Sequence, residues 1–171
     1  SFCLPLQAEL HEGIDAIRSA DGLNGKPATL VTRMGHLLVE KARQTGRCCY
    51  ATVDAYYSAG PLFSLLKTAL DEDGRQWVHV ITRAKSNYVG FFDWPGSSKK
   101  YQTKDKVPLM DIFDFPNLFE KAELTIHGKL KTVEYFCIDL LWRPVKDCIR
   151  FVLVVDGKDR FILRSEEHTS E

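Results

Sequence analysis

The sequence predicts an α/β fold, with a mixed sheet and flanking helices plus an antiparallel β insertion. Strand-like and helix-like segments alternate from residue 2 to residue 83, which implies crossover connections and a parallel strand pair. Residues 84 to 120 lack sustained periodicity, whereas strand patterns dominate from Ala122 onward. The expected division is a core at 1–83, an insertion at 84–163 that is irregular and then β-rich, and a tail at 164–171.

In the core, residues 2 to 10 predict a strand and residues 11 to 26 a loop. A helix then follows Pro27 and stops at Gly46, since glycine commonly follows the last helical turn. Its predicted apolar face comprises Leu30, Met34, Leu37, Leu38 and Ala42.

The run from Cys48 to Val53 predicts a strand buried on both faces, because it is apolar without strict alternation. Gly60-Pro61 opens a second helix that ends by Gly74, and residues 77 to 83 predict the next strand. The second helix carries a core stripe of Leu62, Leu65, Leu66, Ala69 and Leu70. Further strands are predicted at 122–127, 131–141, 149–155 and 160–163, with strand pieces within 87–94 and a hairpin turn at Asp156-Gly157.

Composition narrows the class of protein. The 171 residues carry 23 basic and 23 acidic side chains, so only the distribution of charge can indicate a partner. The chain has no apolar run long enough for a membrane span and no secretory signal at its start, so we expect a cytoplasmic protein with no membrane partner. Its five cysteines form an odd set without a CxxC motif, which favours buried reduced thiols over disulfides or zinc ligation.

Asp54 is the principal candidate for chemistry. It follows the predicted strand at residues 48–53 directly, and open α/β sheets place their ligands at the carboxyl ends of strands. The alternative is that Asp54 only caps the following helix or turn, and position alone leaves both interpretations open.

A second candidate region is basic and aromatic. Between Arg75 and Lys106 there are seven bases and two acids, an excess of five positive charges. Such a stretch can neutralise phosphates and offer stacking surfaces to bases, although a solvated loop with a few core aromatic residues fits the composition as well. The interleaved rings are Tyr88, Phe91, Phe92, Trp94 and Tyr101.

Other familiar sites are missing from the sequence. It has no glycine-rich phosphate loop, nucleophile elbow, HExxH motif or EF-hand. Asp139 lies in an apolar strand pattern and Asp156 in a turn, so both are interpreted as structural, and Asp139 needs a partner if it points inward.

Three segments resemble the DDE transposases of bacterial insertion sequences, whose catalytic domain has an RNase H-like fold. Residues 50–57, YATVDAYY, are similar to the strand that carries the second catalytic aspartate of that family. Residues 77–87 resemble its next strand, and residues 140–144 with 149–155 resemble its β insertion. Residues 2–13 resemble the strand and loop before the first helix, so the likeness spans residues 2 to 163.

The resemblance implies metal-dependent DNA cleavage and strand transfer by the parent protein. Three carboxylates in that family hold two Mg²⁺ ions, and Asp54 would be one catalytic and metal-binding ligand. DNA, as transposon ends and target, would be the partner, a homodimer is possible for the parent, and the contacts would come from Arg83, Lys85, Lys99 and Lys100. The other two carboxylates of the family would lie before Ser1 and after Leu163, so we expect this chain to be an inactive fragment.

Both ends of the chain support that expectation. Ser1 stands inside an apolar run without a preceding methionine, and residues 164–171, RSEEHTSE, resemble the translation of a sequencing adapter. Two other interpretations remain open at this stage. The chain could be a non-catalytic α/β module that binds nucleic acid or protein, or part of another RNase H-like nuclease.

Overall fold

Two α-helices and eight strands form the regular structure of residues 29–93, 101–126 and 128–165, the part of the chain described in a computed structural model. The predicted strand at 2–10 and loop at 11–26 lie outside these residues. The elements are α1 Leu30–Thr45, β1 Cys49–Val53, α2 Gly60–Thr68, β2 Val78–Arg83, β3 Val89–Phe91, β4 Lys106–Pro108, β5 Glu120–Ile126, β6 Lys129–Trp142, β7 Asp147–Asp156 and β8 Asp159–Ser165.

Both ends of helix α1 are defined by capping residues. The Thr29 hydroxyl accepts a hydrogen bond from the Thr32 N–H, and Thr32 Oγ1 accepts one from the Thr29 N–H, which together form a capping box. Gly46, with φ of 64°, ends the helix as predicted.

The face that α1 buries differs from the predicted one. Its buried residues are Thr32, Gly35, Val39 and Ala42, and Leu30 is exposed. Gly35 explains the shift, because a Cβ atom there would lie 2.9 Å from the Leu62 side chain of α2. The two helices therefore approach each other along the glycine, a contact that the spacing of large apolar residues does not indicate.

Helix α2 starts at the predicted Gly60-Pro61 pair and ends, as predicted, before Gly74. It stops at Thr68, and its buried residues include Leu62, Leu65 and Leu66. Leu70, predicted on the core stripe, is 46% exposed and forms an isolated antiparallel bridge with Gln76 instead. The chain has already turned back toward β2 at this point, so the helical period no longer applies.

The strands form one mixed eight-stranded sheet, which confirms the predicted α/β class with its parallel pair. Strands β1 and β2 are parallel, with Val53 opposite Thr82. The sheet continues in the order β1-β2-β8-β7-β6-β3-β4, and β5 pairs with β6. Strand β8 joins β2 antiparallel, so the β-rich part extends the same sheet past residue 83.

The antiparallel strands follow the predicted pattern closely. β5 pairs with β6, β6 with β7 and β7 with β8 as consecutive hairpins. Gly128 and Gly157 adopt φ of 74° and 62° at two of the turns, which only glycine does without strain. The strands at 131–141, 149–155 and 160–163 are confirmed, each extended by a few residues, and β8 includes Arg164 and Ser165. The strand predicted at 122–127 is confirmed over 122–126 and begins at Glu120, while residue 127 lies outside the described residues.

The core lies where the helices cover one face of β1 and β2 and continues along the inner residues of β6, β7 and β8. Only one face of β1 is covered. Cys49, Ala51 and Val53 pack against the core, whereas Tyr50 is 60% exposed, so the prediction of a strand buried on both faces is wrong. Within the described residues, neither helix is long and apolar enough to span a membrane.

No disulfide links the four cysteines in the described part of the chain, Cys48, Cys49, Cys137 and Cys148, and the prediction that they are buried is wrong. Cys48 and Cys137 are exposed, and Cys49 and Cys148 are half-buried. Their strands have one accessible face, which the apolar sequence context did not indicate. Cys3 lies outside the described residues.

Candidate functional site

Asp54 stands directly after β1, at the carboxyl end of the parallel strand pair, and is exposed. Its Oδ1 atom accepts a hydrogen bond of 2.8 Å from the Tyr56 N–H and so caps the one-turn 3-10 helix Ala55–Tyr57. The Asp54 carbonyl accepts from the Thr82 hydroxyl at 3.2 Å, which ties the end of β1 to β2. The structure therefore realises the capping role and also presents the carboxylate at the sheet edge where ligands bind in open α/β folds.

Arg83 and Lys85 lie at the same edge. Arg83 is the last residue of β2, and both side chains are exposed. Strands β1 and β2 are parallel and Val53 is opposite Thr82, so the residues that follow them, Asp54 and Arg83, stand at the same edge of the sheet. The register of the sheet therefore places the backbone of Arg83 next to that of Asp54. Lys99 and Lys100 lie outside the described residues.

An open groove of about 420 Å³ runs beside Asp54. Its walls come from the turn after β1, from the end of β2 and from the start of β8. The lining residues are Ala55, Arg83, Ala84, Lys85, Ser86, Met110, Arg160, Phe161 and Ile162. Three of the nine are cationic and none is acidic, so the groove suits an anionic ligand.

Arg160 is the groove cation that sequence reasoning missed. It begins the last hairpin strand and is distant in sequence from Arg83, so only the β2–β8 pairing brings the two together. Its guanidinium lies 5.6 Å from the Phe113 ring centre and 4.0 Å from Asp114 Oδ1. The sequence signal, a base at the start of an amphipathic strand after a turn, is too common to single it out.

Most rings of the basic aromatic stretch are used inside the fold. Phe91 is buried, and its ring and that of Tyr101 lie 4.7 Å and 5.6 Å from the Arg143 guanidinium. Tyr88 packs against Trp142 at 5.3 Å. Phe92 is exposed, whereas Trp94 lies outside the described residues. The interpretation of these three inner rings as core residues therefore fits better than that of stacking surfaces for bases.

The metal-ligand set implied by the resemblance is incomplete in the described residues. No three His, Cys, Asp or Glu side chains within 29–93, 101–126 and 128–165 are placed to hold a metal ion. Asp54 alone does not fit a site for two Mg²⁺ ions, which needs several carboxylates. No reaction step through metal is therefore derived from these residues.

The remaining aspartates of interest have structural partners. Asp139 receives two hydrogen bonds from the Arg150 guanidinium across β6 and β7, at 2.9 and 2.7 Å. Asp156 accepts one from Lys131 Nζ at 2.8 Å. Both aspartates hold strands together, which is the role predicted for them.

Comparisons with protein-family models, with curated proteins and with solved structures each gave no significant match. The geometry around Asp54 and the resemblance of the sequence segments to DDE transposases are therefore the observations that point to a function.

Proposed function

We propose that this chain is part of the RNase H-like catalytic domain of a DDE transposase and that its parent protein cleaves DNA and transfers the cut strand with Mg²⁺. The observation that carries the proposal is the placement of Asp54. A carboxylate stands at the carboxyl end of one parallel strand, and Arg83 ends the neighbouring strand beside it. An acidic ligand next to cations for the DNA backbone is one part of what metal-dependent attack on a phosphodiester needs, and the two further carboxylates that the resemblance implies would complete the metal site.

The described residues contribute position and charge to this chemistry. The Tyr56 N–H fixes the direction of the Asp54 carboxylate, and the Thr82 hydroxyl holds the backbone beneath it. Arg83 and Lys85 supply positive charge at the same edge, where a phosphate would approach. In the complete protein, Mg²⁺ would supply the activation of water or a 3′ hydroxyl.

The chain as given is expected to be inactive, since Asp54 is one ligand of three. Incubation of the purified 171-residue chain with terminal-repeat DNA and Mg²⁺ should leave the DNA intact. Metal-dependent nicking that disappears in Asp54→Ala would contradict this expectation.

The test of the proposal is Asp54→Asn in the complete protein. Strand transfer should be abolished while stability is almost unchanged, because asparagine caps a helix about as well as aspartate. The matched control is Glu40→Gln, which removes an exposed carboxylate from α1 rather than from the end of a strand, and it should transfer strands normally. Normal strand transfer by Asp54→Asn would exclude a catalytic role.

A second candidate is a non-catalytic module that binds nucleic acid or protein, favoured by the hydrogen bond with which Asp54 caps the 3-10 turn. Under this alternative, Asp54→Ala should cost about 1 kcal/mol of stability as a lost cap and leave binding intact. A different RNase H-like nuclease would share the metal chemistry, and product analysis separates it, since a transposase joins DNA ends and a nuclease only cuts.

A further inference from the structure

We propose that the groove between β2 and β8 binds the phosphodiester backbone of duplex DNA through Arg83, Lys85 and Arg160, with Arg160 as a contact contributed by the last hairpin. The inference deepens the proposed function, on which it rests, because it names the backbone surface next to Asp54. It is carried by the lining of the groove, in which three cations face an open space without an acidic side chain.

The two arginines are held in place by aromatic rings. The Arg83 guanidinium lies 5.7 Å from the centre of the Phe161 ring, and Arg160 lies 5.6 Å from that of Phe113. Because stacking on a ring restricts the long arginine side chain, less conformational entropy is lost when a phosphate binds. The rings come from the described β8 strand and from the 3-10 helix Leu109–Asp114.

The shape of the groove favours a polymer over a small anion. Small-ligand sites enclose most of their ligand, whereas this groove is open and its three exposed cations come from two chain segments, the end of β2 and the start of β8. An exposed cation binds an isolated phosphate weakly in water, but several cations along one backbone act together and release counterions. Apolar residues at its base, Met110 and Ile162, offer no hydrogen bonds to an anion, so the cations set the affinity.

The groove also starts at the candidate site. Ala55 lines it and follows Asp54 directly in the chain, so a backbone bound to the three cations would pass beside the Asp54 carboxylate. We expect the three cations to contact phosphates, so binding should depend on salt and little on sequence.

Arg160→Gln tests the proposal through the salt dependence of DNA binding, measured by fluorescence anisotropy with a labelled duplex. The slope of log binding constant against log salt concentration should decrease in magnitude by about 0.9, the value for one lost phosphate contact. The matched control is Lys129→Gln, which removes one exposed charge from the start of β6, and it should leave the slope unchanged. Equal losses in the two variants, or none in Arg160→Gln, would overturn the proposal.

Asp114→Asn gives a prediction of opposite sign. Its carboxylate lies near Arg160 and competes for the guanidinium, so removing its charge should strengthen DNA binding. Unfolding curves of all three variants establish that they are folded. Weaker DNA binding by a folded Asp114→Asn would contradict the proposed role of Arg160.

Two further measurements separate the possible explanations. Inorganic phosphate, compared with chloride at matched ionic strength, should displace DNA no better than chloride does, and specific displacement would indicate a small-anion site instead. Asp54→Asn should bind DNA at least as tightly as the original chain, because it removes a negative charge beside the bound backbone. If Arg160→Gln changes DNA binding as expected but Asp54→Asn does not abolish strand transfer, only the proposed function is refuted. If Asp54→Asn abolishes strand transfer but Arg160→Gln leaves DNA binding unchanged, only the proposal for the groove is refuted.

Discussion

Among single residues, Asp71 is a carboxylate whose pKa is lowered by its surroundings in the fold. The Arg75 N–H donates to its Oδ1 at 2.8 Å, and the Asp73 N–H donates at 3.0 Å. The hydrogen bond from the Arg75 backbone, then the charge of Arg75 and the Asp73 N–H, lower the Asp71 pKa below its ordinary 3.8 against an opposing effect of desolvation. The carboxylate form therefore stabilises the turn that connects α2 with β2.

The lowered pKa makes a prediction about pH. The stabilisation by Asp71 is complete above the unfolded pKa of 3.8 and is lost as the pH falls through the lower folded value. Asp71→Asn should therefore melt at a lower temperature than the original chain at pH 7, and the difference should shrink below pH 3.8. Melting followed by circular dichroism measures this, with Glu40→Gln as control; a difference that does not vary with pH would contradict it.

Cys137 offers a second test of local environment. Desolvation raises the pKa of its thiol above the ordinary 9.0, the Asp139 and Glu120 carboxylates add to the effect, and Arg150 opposes it. Alkylation of Cys137 by iodoacetamide should therefore reach half its maximal rate above pH 9.0, as followed by mass spectrometry. A midpoint below that value would show that Arg150 dominates instead.

At the residue scale, the sequence predicts features that depend on neighbouring residues in the chain. It does not predict features that depend on contacts between distant segments. Asp54 could be selected because it directly follows a strand pattern, whereas Arg83 and Lys85 were selected through the resemblance of residues 77–87 to the transposase family. Arg160 could not, since its place in the groove depends on the pairing of β8 with β2. The covered face of α1 was missed for a similar reason, because it is determined by the close approach of Gly35 to α2.

At the scale of secondary-structure elements, the start of α2 is confined by the turn between β6 and β7. A Cβ atom on Gly60 would lie 2.7 Å from Pro144 Cβ and 2.8 Å from its carbonyl oxygen. A backbone oxygen cannot move aside as a side-chain tip can, so the element itself would have to shift.

Gly60→Ala should consequently lower the free energy of unfolding by about 1–3 kcal/mol, the usual cost of overpacking. Gly35→Ala is the matched comparison. Its new methyl group meets only the ends of the Leu62 and Leu65 side chains, and alanine favours a helix interior by about 1 kcal/mol over glycine. Urea unfolding of both variants should show the larger loss for Gly60→Ala, and the opposite order would place the tighter contact at Gly35.

The hairpins are the elements that the sequence predicted most accurately, since the turn residues and the strands on either side of them are neighbours in the chain. Asp156-Gly157 and the strands around it appear where predicted. The burial of Leu70 on the core stripe of α2 and the burial of β1 on both faces were predicted wrongly, because both depend on what packs against them. Local chemistry predicts where an element begins more reliably than which of its faces is covered.

For the molecule as a whole, Arg164 links the sheet to the helical layer. This residue of β8 is fully buried, with its guanidinium 3.6 Å from the centre of the Phe63 ring and 3.9 Å from that of Trp142. The rings belong to α2 and β6, so one side chain connects three elements that are distant in the sequence.

Arg164→Ala should therefore destabilise the chain by about 2–4 kcal/mol, as large truncations in a core do. Arg164→Lys should lose less, since it keeps the charge and most of the volume, but it should not restore full stability because an ammonium group cannot stack its plane between two rings. Urea unfolding provides the measurement. An Ala variant as stable as the original would show that the aromatic cage closes without the guanidinium.

The pairing of β2 with β8 also has a consequence for biosynthesis. Arg83 leaves the ribosome early and Arg160 near the end of the described chain, so the cationic groove cannot exist until almost all of the sheet has been translated. A nascent chain that has completed α1, β1, α2 and β2 carries Asp54 without the opposite wall of the groove. The groove is thus completed only when the last strand of the sheet, β8, has been translated.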